Sequence, residues 1–240
     1  MNLQGKTVLI TGGAVRIGAV VAMKLAETGC RVIVHYGKSA AEAKKLLSVL
    51  PGGGHRIIQA DLANEDEVKN LCRQAGTFEL LVNSAAIFHR PESPEDLAAA
   101  ELYHKINFLA PKLLLEYFFS QNIPGGAAVN ITDCFALLPG SGAYYQSKRN
   151  LNELTQKLAP AWAKRNFRIN AVAPGPMIPP PWAPESRMEK ILKSVPLARQ
   201  VSPDDLAELV RFVLACDSMT GALIPLDSGV SAAGKNENNR

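Results

Sequence analysis

The feature that most constrains this chain is an alternation. Short apolar runs rich in β-branched residues stand at 6–10 (KTVLI), 31–36 (RVIVHY), 56–60 (RIIQA), 79–83 (ELLVN), 127–132 (AAVNIT), 168–172 (RINAV) and 222–225 (ALIP). Between them lie stretches of helical periodicity near 16–28, 39–49, 64–74, 96–120, 142–165 and 202–216. Strands apolar on both faces, each followed by a helix, require a parallel sheet covered on each side. The expectation is an α/β chain: one domain over 1–230, a doubly wound seven-stranded parallel sheet, and a polar tail over 231–240 that frays. No composition break within the 240 residues suggests a second domain. Ligands of such sheets sit beyond the carboxyl ends of the strands, and nearly every unusual residue of this chain falls there.

Bulk properties remove several function classes. A net charge of +4 with scattered basic residues does not make a nucleic-acid surface, though it suits an anionic ligand. Cys30, Cys72, Cys134 and Cys216 lie far apart without a CxxC pair, so neither a disulfide framework nor a metal site is expected, and a reduced, cytoplasmic setting is. Neither a signal peptide nor a membrane span is expected, since no apolar run approaches the roughly 18 residues a span needs. The sequon Asn130-Ile131-Thr132 falls in an expected buried strand and reads as chance.

After the first strand comes TGGAVRIG, with Thr11, Gly12, Arg16, Ile17 and Gly18. Glycine lets the backbone turn tightly and approach a phosphate, and a helix N-terminus offers unpaired N–H donors. The pattern is less than a full GxGxxG; its place directly after the first strand strengthens the cofactor reading over an ordinary strand-to-helix turn. The second strand ends in His35-Tyr36-Gly37-Lys38-Ser39. Nicotinamide sites without a 2′-phosphate usually carry an acid there. Here Lys38 and Ser39 supply a cation and a hydroxyl, so NADP(H) is expected over NAD(H); the plain alternative is a solvated lysine at a helix start. Asp61, followed by Leu62, either accepts from an adenine amino group or caps the next helix. Asn83-Ser84-Ala85-Ala86 are small enough for a flat ring to lie against the backbone.

Tyr144 and Lys148 are four apart on an expected helix and share a face. A nearby ammonium favours the phenolate, so Lys148 is expected to lower the Tyr144 pKa toward the range useful for proton transfer. Tyr145, with Arg149 four residues on, is the alternative pair. Asp133 ends the fifth strand eleven residues before Tyr144. Ionised, it cannot donate a hydrogen bond to a carbonyl oxygen and instead suits a substrate bearing N–H donors; protonated, it could donate; otherwise it only caps a turn. Residues 175–184 (GPMIPPPWAP) exclude regular structure and, placed after a strand end, are expected to belong to a substrate lid near 175–195 or to be a surface connection.

In order and spacing, TGGAVRIG, Asn83-Ser84-Ala85-Ala86, Tyr144-Tyr145-Gln146-Ser147-Lys148 and Ala173-Pro174-Gly175 resemble the short-chain dehydrogenase/reductases over roughly residues 5–230. The resemblance implies a Rossmann fold and a cofactor held by Gly12, Arg16, Ile17, Gly18, His35, Tyr36, Lys38, Ser39, Asp61, Leu62, Asn83, Ser84, Ala85, Tyr144, Lys148, Pro174 and Gly175. It also implies Asn107 of KINFLAP as a fourth catalytic residue beside Tyr144, Lys148 and Asp133, holding a water that relays protons to Lys148. A plainer role for Asn107 is a polar kink, with Pro111 nearby. Arg16, VHYGKSAAEA, Phe88 and Asp133 look more narrowly like pteridine reductases, which implies that Phe88 stacks on the substrate and that Arg16, Asp133 and Tyr144 contact it. Against that narrower likeness, the Asp133–Tyr144 span is about two residues shorter, Ala86 replaces a serine, and Asp227-Ser228-Gly229 stands for DGG. The function expected is NADPH-dependent reduction of a pteridine-like C=N bond. The alternatives are a 3-oxoacyl-thioester (carbonyl) reductase and an inactive NADP(H)-binding regulator. Helix 142–165, with Leu151, Leu154, Leu158 and Trp162, is expected to face a partner subunit in a homotetramer.

Overall fold

The computed structural model describes residues 1–88, 97–140, 142–179, 182 and 185–234, the side chains of Glu185 and Arg187 excepted. Seven strands form one sheet: β1 (Thr7–Thr11), β2 (Arg31–Tyr36), β3 (Arg56–Gln59), β4 (Leu80–Asn83), β5 (Gly126–Ile131), β6 (Phe167–Pro174) and β7 (Leu223–Leu226). Their order is β3-β2-β1-β4-β5-β6-β7 and every pairing is parallel. All seven expected strands are present.

Strand parity explains the continuous apolar runs. Val8 and Ile10 pack into one core with Val21, Leu25, Val210 and Val213; Leu9, between them, packs into the other with Leu71, Leu81, Leu114 and Phe167. The first core lies under α1 (Arg16–Glu27) and α8 (Pro203–Ala215), the second under α3 (Glu65–Ala75), α5 (Ala110–Ser120) and α6 (Ala143–Ala163). Each fully buried leucine or phenylalanine contributes about 1.5–3 kcal/mol relative to exposure, which fixes the register of every strand. Helix α8 begins as expected: the Ser202 side chain accepts from the Asp204 N–H and proline occupies the first turn.

The expected helix at 96–120 is interrupted; its first residue, Asp96, lies outside the described residues. Helix α4 (Leu97–His104) runs into a π-helical turn at Lys105–Leu109 before α5 continues. Pro111 has no N–H to return to the carbonyl of Asn107 four residues earlier, so the ladder widens there. Two expectations need correction, and one helix lies outside those expected. Residues 185–193, inside the expected lid, form helix α7 (Glu185–Lys193). The tail is not irregular from 231, because α9 spans Val230–Ala233; residues 235–240 lie outside the described residues. The apolar residues of α6 are not all surplus: Leu151 and Trp162 are buried within the chain's own core, and only Leu154 and Leu158 keep part of their surface. Helix α2 (Ala40–Val49) completes the covering of β2 and β3. No helix among the described residues is long and apolar enough to cross a membrane.

Candidate active site

The parallel register brings the strand ends to one edge: Thr11 of β1 pairs with Asn83 of β4, and Asn83 with Asn130 of β5. The crevice along this edge has two halves. In the first, the glycine turn is packed backbone on backbone. Gly12 takes a φ of +63°, and a Cβ there would lie 2.9 Å from the Ala85 Cα; a Cβ on Gly18 would lie 2.1 Å from the Gly12 carbonyl oxygen. The Thr11 hydroxyl accepts from the N–H groups of Ser84 and Ala85, tying β1 to β4. Helix α1 starts at Arg16 with no side-chain cap and no acid in its first turn. Its N–H groups therefore face the crevice edge unneutralised, as a phosphate site requires. Ile17 lies half-buried in this turn.

Several residues read as cofactor contacts do other work. His35 is buried: Nδ1 accepts from the Gly12 N–H at 3.1 Å and Nε2 meets the Ala60 carbonyl at 3.0 Å. With Nδ1 accepting, Nε2 carries the proton and the ring is neutral; burial also lowers its pKa. His35 thus braces the glycine turn from behind rather than reaching a 2′-phosphate. Asp61 does not cap α3; its Oδ1 accepts from the Ala63 N–H, and Asn64 is the cap, accepting from Asp66 and Glu67. The Leu62 side chain belongs to the core. Asn83 is buried and donates to Asn130 Oδ1 at 2.8 Å, so its side chain supports the sheet. The corner beyond β2 keeps half-buried Tyr36 and Ser39 and exposed Lys38, and Ser39 opens α2 without a side-chain cap. At the end of β6, Pro174 is followed by Gly175, where a Cβ would lie 2.7 Å from the Asp227 Cα.

The second half is built from side chains. Asp133 Oδ2 accepts from the Tyr144 hydroxyl at 3.2 Å, and Oδ1 accepts from the Phe135 N–H at 2.8 Å. Lys148 is buried, with Nζ donating to the Ile131 carbonyl at 2.9 Å. Burial pushes Asp133 up to about 6, with the Phe135 N–H, Lys148 and Tyr144 pulling the other way. Burial brings Lys148 down to about 8, opposed by Asp133. Tyr144 is raised well above its ordinary value, by burial first and the Asp133 carboxylate second. This reverses the expectation of a phenol acidified by Lys148: burial and the carboxylate in contact both raise the Tyr144 pKa, while the ammonium is drawn to Ile131.

Arg149 is committed to the carbonyls of Leu138 and Gly140, both at 3.0 Å, and so clamps the shortened loop between Asp133 and α6. The Phe88 ring lies 4.5 Å from Tyr144 and 5.6 Å from Trp182, whose Nε1 donates to the Phe88 carbonyl. Arg16, with φ at +52°, donates to the carbonyls of Ile178 and Pro179, so the proline-rich segment is tied to the glycine turn. Tyr103, edge-on to Tyr144 at 5.9 Å, is a site residue that no motif marks, although it lies four residues before Asn107. Asn107 is fully buried; its bonds go to Ile87 and Ser147.

A family model described as enoyl-(acyl carrier protein) reductase matches residues 13–231. Among solved structures, the FolM alternative dihydrofolate reductase 1 of Brucella suis in complex with NADP superposes with a TM-score of 0.90 at 31% identity, covering 99% of each chain. A blue fluorescent protein from a metagenomic library, in complex with NADPH, gives 0.88 at 30% identity over 96% of this chain and 100% of that one. The 3-oxoacyl-[acyl-carrier-protein] reductase of Synechocystis is 30% identical over 244 residues, 95% of this chain and 98% of the relative.

Proposed function

The chain belongs to the short-chain dehydrogenase/reductase family, and on that premise we propose that it is an NADPH-dependent reductase of a flat, pteridine-like C=N substrate, with Tyr144 as the general acid. The observation that carries this reading is the direct bond between Tyr144 and Asp133 beneath the Phe88 ring.

The residues suit the cofactor. The glycine turn is a cradle too tight for any side chain, the α1 N-terminus is uncapped, and Lys38 and Ser39 await a 2′-phosphate. Both structural neighbours named above hold NADP or NADPH. When bound, the nicotinamide supplies a hydride. Everything else falls to the chain. Tyr144, kept protonated by its surroundings, gives its proton to the substrate nitrogen as the adjacent carbon is reduced. Asp133, ionised above about pH 6, accepts from substrate N–H groups and holds the heterocycle in the plane of the phenol. Phe88 covers the other face.

A second reading, reduction of a 3-oxoacyl thioester, is favoured by the Synechocystis relative's activity; it offers Asp133 no donor from the reacting carbonyl group. Purified protein should oxidise NADPH on addition of dihydropterin or dihydrofolate, and Tyr144→Phe should abolish this. Turnover of acetoacetyl thioester alone would establish the second reading instead. The four free cysteines suit a cytoplasmic setting. We further propose a homotetramer, with Leu154 and Leu158 toward a partner subunit, which light scattering on the purified protein would test.

A further inference from the structure

A buried hydroxyl stands between Tyr144 and Lys148. Ser147 is 3% exposed. Its Oγ donates to the Tyr144 carbonyl at 2.6 Å and accepts from Asn107 Nδ2 at 3.3 Å. A hydroxyl has one proton, so the donation to Tyr144 leaves Ser147 as acceptor toward Asn107. The Asn107 amide in turn grips Ile87 twice: Oδ1 accepts from its N–H at 2.9 Å, and Nδ2 donates to its carbonyl at 3.2 Å. Ile87 directly precedes Phe88. A continuous run of bonds, Ile87 to Asn107 to Ser147 to Tyr144, therefore joins the two walls of the substrate cleft from behind.

The first turn of α6 needs such an anchor. It opens on Gly142, at a φ of +118°, with no side-chain cap. A helix end without a cap frays, and Tyr144 sits in that end. We propose that Ser147 is a positioning residue, holding the Tyr144 phenol in register with Asp133 and Phe88 by bonding its turn to Asn107. The proposal rests on the reading of Tyr144 as the acid. On this view both N–H groups of Asn107 are spent on support, and a single amide sets the spacing between the stacking ring and the phenol.

The test titrates Asp133, which reports the phenol's position without needing a substrate. The groups that face Asp133 are Tyr144 and Lys148 from α6 and the Phe135 N–H from its own turn, with the Cys134 thiol adjacent. Carboxyl-carbon NMR, assigned with Asp133→Asn, is recorded for the wild type, Ser147→Ala and Ser147→Thr. In Ser147→Ala the phenol leaves its place 3.2 Å from Asp133, and the midpoint rises above the starting value of about 6 because a stabilising donor is lost. The turnover number falls about tenfold with KM for NADPH unchanged, as one lost hydrogen bond would give. Ser147→Thr, which keeps the hydroxyl, restores both. Ser147→Cys, a weaker donor of similar size, gives an intermediate shift and replaces the alanine variant should that fail to fold. A midpoint that stays in place overturns the proposal, whatever happens to turnover. A midpoint that moves in a protein that turns over no pterin upholds Ser147 and defeats the substrate reading instead.

Discussion

The two halves of the crevice are made differently. On the cofactor side, fit is set by backbone against backbone: Gly12 against Ala85, Gly18 against the Gly12 carbonyl, Gly175 against Asp227, with His35 wedged behind. On the substrate side it is set by side chains: Asp133 on Tyr144, Phe88 between Tyr144 and Trp182, Arg149 on the loop. Backbone contacts this close have no slack, so a single methyl is intolerable. Side-chain contacts can be retuned one at a time. One half is thus suited to a constant ligand and the other to a substrate that varies among relatives, as the dihydrofolate and 3-oxoacyl reductases alongside this chain do.

The contrast breaks first at Gly18. An added methyl meets a carbonyl oxygen at 2.1 Å, which the turn can relieve only by moving. Gly18→Ala should cost about 3 kcal/mol in stability and weaken NADPH binding about a hundredfold, read by chemical denaturation and nicotinamide fluorescence. Unaltered binding would mean that the turn is as adaptable as the other half.

Asp133→Asn touches only the substrate side. Pterin turnover should fall about a hundredfold with NADPH affinity intact. In the wild type, turnover should decline as pH falls through about 6, because a protonated Asp133 no longer accepts. Stability should run the other way. The folded pKa lies above the ordinary 3.8, so ionisation is disfavoured in the fold; the penalty is absent below 3.8, grows up to about 6 and is constant above. Asp133→Asn should therefore melt higher than wild type above pH 6, and the advantage should vanish in acid. Equal melting temperatures at every pH would show the carboxylate to be well solvated.

The smallest effect is expected at Phe88. Phe88→Ala should raise KM for a pterin about tenfold, in line with the loss of one aromatic face, while leaving KM for NADPH unchanged. A parallel rise in both constants would show the halves to be coupled through the proline-rich segment that Arg16 and Trp182 tie down.

The two halves also differed in how far they could be read from residues alone. Strand positions follow from β-branched runs, and the glycine turn from its place after β1, because both depend on local chemistry. The facing of His35 depends on strand parity: it shares a side with Ile33, which packs toward α3, and no motif announces that. The direction of the Tyr144 pKa depends on burial first and then on a 3.2 Å contact across an eleven-residue gap, whereas the four-residue spacing to Lys148 is visible at a glance. Ser147 carries no signal of its own in the sequence, because a serine between tyrosine and lysine looks like filler until its two partners are known. Helix α7 was hidden by the prolines before it.

Pro111 carries a consequence of its own. By denying the Asn107 carbonyl its partner, it leaves the helix wide for one turn, and that turn is where the amide holding Ile87 and Ser147 resides. Any residue with an N–H at 111 would let the coil tighten, gaining a bond in the spiral while swinging the amide away from both its clients. Replacing Pro111 with alanine should therefore raise the melting temperature and lower turnover, and a variant that keeps full turnover would show that the wide turn does not depend on the imino acid.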